Sequence, residues 1–326
     1  DYRPFLATQL VQHLVLWYGR YPTKKQTSPP SNNGSAALFV NGYANATRME
    51  EANAWRNPID LVQILEDAFV QLQTIVVQSG TLSEDDAGNG RNQLLPVLLG
   101  DDPQAIVDGM LDALKNGRTM QQLAATVSYA AALRIARFHT SNEFGDWDTA
   151  LHTFTFANAI EQGLKRTPFV NLLRGVFDAA MTVYLDRFLN IPEARIPSVD
   201  GLDGNGRVAQ VSDILDTFPQ LLDKQQQVDQ AAALIMQFIA SDGNPDQLLA
   251  MLGKLLLRED RDFHTIQAVE AAFKQYHTLR GTEAGSHVLV AAARYLAAHS
   301  PTVRAQGQTY QIAARLHRGE HLFTDS

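Results

Sequence analysis

Residues 119–138 read TMQQLAATVSYAAALRIARF, and this stretch decides the fold. Met120, Leu123, Val127, Ala131, Ile135 and Phe138 recur at steps of three and four, the spacing that gathers apolar side chains on one face of an α-helix. The same Ala-, Leu- and Gln-rich pattern returns along the chain, whereas alternating Val/Ile/Thr stretches of strand type are scarce. The expectation is an all-α protein, a multi-helix bundle built as one large domain or as two closely packed helical halves. No repeat of fixed period is visible, which argues against a solenoid.

The pattern predicts helices over 4–19, 57–79, 91–99, 103–116, 119–138, 148–165, 168–190, 208–240, 244–258, 262–280, 285–299 and 302–317. Four boundaries carry a capping side chain ahead of proline, Asn57-Pro58, Asp102-Pro103, Thr167-Pro168 and Ser300-Pro301, the arrangement that opens a helix. Residues 21–45 contain PTKKQTSPPSNNGS, which offers no apolar face and is expected to form a long loop or lid. A second break, with PEARIPSVDGLDGNG, places an internal division of the all-helical chain 1–326 near 191–207.

With 326 residues, 45% hydrophobic and 19% charged, the chain can bury a sizeable core. A net charge of −8 without a dense Lys/Arg cluster argues against nucleic acid as a partner. There are no cysteines, so thiolate zinc sites, iron–sulfur clusters, cysteine nucleophiles and disulfides are excluded; any metal must be bound by His, Asp or Glu. The start DYRPFLATQLVQ has no basic segment followed by an apolar one, and no apolar run reaches membrane-spanning length. The expectation is a cytoplasmic protein without a membrane partner. The chain does not begin with Met, which fits processing or the helical part of a longer protein.

Three of the nine histidines sit inside apolar helical stretches: His13 in LVQHLVLWYG, His152 in TALHTFTFANAI and His264 in RDFHTIQAVEAAF. Imidazoles on different helices converge only in a bundle core, where a common reason to gather them is a metal ion. A buried imidazole needs a partner for each nitrogen, and a metal at one with a carboxylate or carbonyl at the other supplies both. Asp260, one turn before His264, is the candidate for such an orienting carboxylate, or it helps to cap the helix. His139, at the end of its helix, is a candidate fourth ligand, although a histidine there also interacts favourably with the helix dipole. His287 opens an Ala-rich helix and stands in reserve; His277, His299, His317 and His321 read as surface or terminal residues. Trp17, Trp147, Phe154 and Phe156 are candidate pocket walls, or ordinary core. Glu161 and Glu270 share helices with His152 and His264 and are candidate bases, or solvent-facing residues.

Other signals are weaker. From Asp203 the calcium-loop positions fall on Asn205 and Arg207 with no glutamate at the twelfth, so DGLDGNGR reads as a flexible turn. Ser83-Glu84-Asp85-Asp86 with Gly88 and Gly90 reads as an acidic solvated loop. Glu-x-x-His pairs, a Walker loop, a dinucleotide fingerprint and a Gly-x-Ser-x-Gly elbow are all absent.

The pieces HLVLWYG from His13, LHTFTFANAIE around His152 and EDRDFHTIQAV around His264 resemble the questin oxidase-like family. The segments RFHTSNEFGDWDTALHTFTFANA and HVLVAAARYLAAHSPT more loosely resemble helical regions attached to bacterial Rieske-type proteins. The first resemblance implies an all-helical oxygenase of polycyclic aromatic substrates, with non-haem iron held mainly by histidines. It also implies a lysine soon after the late histidine, where this chain has Thr265-Ile266-Gln267. The leading expectation is a metal-dependent oxygenase or oxidoreductase that takes a small organic substrate and dioxygen, with His13, His152 and His264 on non-haem iron or another divalent transition metal and His139 or His287 completing the set. The alternatives are a non-enzymatic helical binding or interaction module with structural buried histidines, and a protein that binds haem non-covalently.

Overall fold

Asp102 accepts hydrogen bonds from the Gln104 and Ala105 N–H groups, and Pro103 takes the first helical position, as the sequence predicts. Thr119 and Gln122 close a reciprocal capping box one helix later. The computed structural model describes residues 61–75, 84–168, 170–198 and 210–320, which form twelve α-helices and no strand. The all-α expectation is met.

In chain order the helices are α1 (Leu61–Leu72), α2 (Glu84–Leu98), α3 (Pro103–Lys115), α4 (Met120–Ala136), α5 (Phe144–Arg166) and α6 (Val170–Leu185), followed by a 3-10 turn (Asp186–Leu189). Then come α7 (Val211–Leu221), α8 (Val228–Ala240), α9 (Pro245–Arg258), α10 (Phe263–Leu279), α11 (Glu283–Ala298) and α12 (Ala305–His317). The chain folds as two compact units, Asp1–Ala194 and Arg195–Ser326. In the first, α4, α5 and α6 pack on one another, α2 lies against α4, and α1 lies against α3. Ala130, Ala131 and Ala132 are fully buried on α4, where small side chains permit close helix approach. In the second unit, α11 packs on both α8 and α10, α7 lies against α8, and α9 lies against α10. None of the described helices is long and apolar enough to cross a membrane.

Several boundaries depart from the sequence reading. The single helix expected over 208–240 is two, because the chain turns at 222–227 with Gln226 at a positive φ of 58°. That turn lets Phe218 on α7 and Ile235 on α8, both fully buried, reach the same core. The acidic stretch expected as a loop opens α2 instead. Burial of Leu94 and Leu98 favours that helix, and Gly90 leaves room for the Arg118 guanidinium, whose Nη1 lies 2.8 Å from where a Cβ would stand. Thr167 ends α5 rather than opening α6: its N–H bonds to Gly163 O, and its extended backbone is the conformation favoured before proline. Pro301 is likewise not a first helical residue. The chain between it and Ala305 is irregular because Glu259 binds Thr302 and Arg304. The described part of the 57–79 helix is shorter, α1 alone, and the helix 4–19, the loop 21–45 and the Asn57-Pro58 cap lie outside the described residues.

Candidate functional site

Helix α5 is buried along most of its length and presents apolar and polar side chains to the core alike. Leu151, Phe154, Phe156 and Ile160 are its apolar contribution, each at most 2% exposed. Between them Asp148, Thr153, Thr155, Asn158 and Glu161 are also buried, and His152 is half-buried. Steps of four and three put Asp148, His152 and Thr155 on one helix face, with Cβ atoms of successive members about 5–6 Å apart. Glu161 is fully buried and pairs with Lys165, 2.7 Å away and one turn on. Burying a polar side chain costs free energy unless it is matched, so this concentration on one central helix marks a specialised region.

The 3-10 turn after α6 adds a second element. It carries Asp186, fully buried, whose carboxyl is pushed up to about 7 by burial, against the opposing pull of the Thr153 hydroxyl and the Arg134 guanidinium. Arg134 is itself buried on α4; its Nε donates to Val183 O at 3.2 Å and its Nη2 to Leu99 O at 3.0 Å. Burial lowers its pKa to about 10, with Asp186 and Glu193 acting the other way. A carboxyl that titrates near neutrality is a group able to take or release a proton under ordinary conditions.

The histidines are placed as follows. His13 and Trp17 lie outside the described residues. His152 belongs to the first unit and His264 to the second. His139 is half-buried in the loop before α5, where its Nδ1 accepts the Ser141 N–H at 3.1 Å, so that lone pair is used locally. His264 Nδ1 is 3.0 Å from Asp262 Oδ2, and the ring lies against Phe263 with centroids 3.7 Å apart. The orienting carboxylate is therefore Asp262 and not Asp260, because α10 starts at Phe263 with Asp262 as its N-cap. Asp260 turns to α12 instead, accepting the Ala305 and Gln306 N–H groups at 2.9 and 2.7 Å. Glu259 accepts the Thr302 N–H and hydroxyl at 2.8 and 2.9 Å; burial would raise its pKa, but these bonds and Arg304 hold it below the ordinary value. All three carboxylates of the late motif thus fasten helix ends.

His287 Nε2 is 3.7 Å from Glu283. His299, expected at the surface, is half-buried, stacks on Tyr295 and donates from Nδ1 to Tyr295 O at 2.8 Å. Phe154 and Phe156 are core residues, as is Trp147, which meets Phe138 edge-on at 4.9 Å. Among the described residues no group of three or more His, Asp or Glu side chains is placed to hold a metal ion. Sequence reasoning passed over Asp148, Arg134 and Asp186 and left Glu161 open. Polar residues at 155, 158 and 161 in an otherwise apolar helix were the available signal for α5; Arg134 and Asp186 had none. No protein-family model, curated protein or solved structure matches this chain.

Proposed function

We propose that this protein is a metal-dependent oxidoreductase, an oxygenase of a small apolar or polycyclic aromatic molecule, centred on the His152 face of α5. The observation that supports this reading is the row Asp148, His152 and Thr155 on a helix buried along most of its length. A carboxylate and an imidazole one turn apart form a pair that can share a proton or contribute two donors to a divalent metal. Non-haem iron is the metal implied by the family resemblance, and it would supply the oxygen chemistry. The described residues do not complete a ligand set: they offer two donors on this face, and His13, the third histidine of the expectation, lies outside them. No chemical step is therefore routed through the metal. The chain's own contribution on this reading is to keep water from the substrate with Leu151, Phe154 and Phe156 and to hold a proton at Asp186.

A second reading, a non-enzymatic helical binding module, is favoured by the rings of His139, His264 and His299, each engaged within its own loop or helix end. Elemental analysis of the isolated protein, before and after incubation with ferrous iron, separates the two. The oxygenase reading expects about one transition metal per chain, lost in both His13→Ala and His152→Ala and retained in His139→Ala. Absence of stoichiometric metal, with added iron bound equally by the wild type and His152→Ala, sinks that reading and leaves the binding module. A Soret band in the isolated protein would move the assignment to haem.

A further inference from the structure

The second unit contains a cleft of about 490 Å³ formed where four helix ends meet. Its apolar lining includes Phe238, Leu248 and Leu289, all buried. Two lining hydroxyls have no side-chain hydrogen bond among the described residues: Ser286, and Tyr276, which is 5% exposed. Both hydroxyls line the cleft and can pair with a ligand there. The volume lies within the range of small-molecule sites.

The charge at the cleft selects among ligands. Asp242 and Glu283 line it, while the positive charge of Arg280 is held by Asp246 through contacts of 3.1 and 3.3 Å. His287, 3.7 Å from Glu283, offsets that carboxylate only when protonated. The two helix N-termini at the rim are already capped: Asn244 accepts the Asp246 N–H at 3.0 Å and Thr282 accepts the Gly285 N–H at 3.2 Å. An anion would therefore meet two carboxylates and spent donors, whereas a cation would meet two carboxylates and two free hydroxyl oxygens.

We propose that this cleft binds a small organic amine, with its apolar body against Phe238, Leu248 and Leu289, its ammonium toward Asp242 and Glu283, and a hydrogen bond to Tyr276 or Ser286. The site is independent of the His152 face. Titrating the full chain calorimetrically with phenethylamine, 2-phenylethanol and 3-phenylpropanoate tests it, because the three share a body and differ in charge. The amine binds saturably and most tightly, and the carboxylate most weakly. Asp242→Asn combined with Glu283→Gln weakens the amine about tenfold and leaves the alcohol unchanged, and Tyr276→Phe weakens the amine roughly threefold without lowering the melting temperature. Ser286→Leu, which fills the cleft, abolishes binding of all three. Equal binding of the three probes, preference for the carboxylate, affinity for the amine unchanged in these variants, or no saturable binding by about 10 mM would each overturn the proposal.

Discussion

In the first unit most of the buried polar side chains sit within helices, among them Thr153, Thr155, Asn158 and Glu161 on α5 and Asp178 and Thr182 on α6, while Arg118, Thr119, Asp186 and Asn190 lie at or beyond helix ends. In the second the polar network is at helix ends: buried Glu259 and half-buried Asp260 fasten the segment before α10 to the start of α12, and exposed Asp262 caps α10 and meets His264, while buried Gln267, Gln275 and Arg294 lie within helices. The difference separates architecture from candidate chemistry. A helix end carries unpaired backbone groups, so a polar side chain there has a local partner whatever the protein does. The middle of a helix has no such groups, and a carboxyl or amide buried there calls for another explanation.

The buried polar set of the first unit can be tested most sharply at Asp186, in the 3-10 turn that follows α6. Because burial raises its pKa from 3.8 to about 7, the folded chain holds this proton more tightly than the unfolded one. Its contribution is fully present below the unfolded value and is lost as pH rises through the folded one, on the order of 4 kcal/mol in all. In denaturant titrations the wild type should lose stability between pH 4 and 7, and Asp186→Asn should flatten that fall; an identical pH profile in the two proteins would mean that the carboxyl is not sequestered. Arg134→Met keeps much of the side-chain bulk but leaves Val183 O and Leu99 O without their donor, and a loss of about 3 kcal/mol is expected by urea unfolding.

The smallest effect belongs to the helix ends of the second unit. Asp262→Ala removes the cap of α10 together with the His264 contact and should cost about 1 kcal/mol. On the oxygenase reading it should leave metal content unchanged, since the carboxylate serves the helix. Metal lost with Asp262→Ala and kept with Asp148→Asn would reverse the assignment of the two units.

Sequence periodicity determined the fold class and most helix positions, because a buried helix face repeats at 3.6 residues whatever it packs against. It also determined the Asp102-Pro103 cap, a device complete within four residues. Where the partner is distant in sequence, local pattern misled: Gly90 sits in a helix that buries Leu94 and Leu98 and leaves room for Arg118, and the chain after Pro301 stays irregular because Glu259 draws in Thr302 and Arg304. The site divides the same way. His152 was visible as a residue inside an apolar helix, whereas the polar row of Asp148 and Thr155 beside it emerged only with the structure. Only the tertiary structure decided that Asp262 and not Asp260 meets His264, and that Asp186 is sealed beside Arg134, since desolvation and pairing depend on what other elements bring to each side chain.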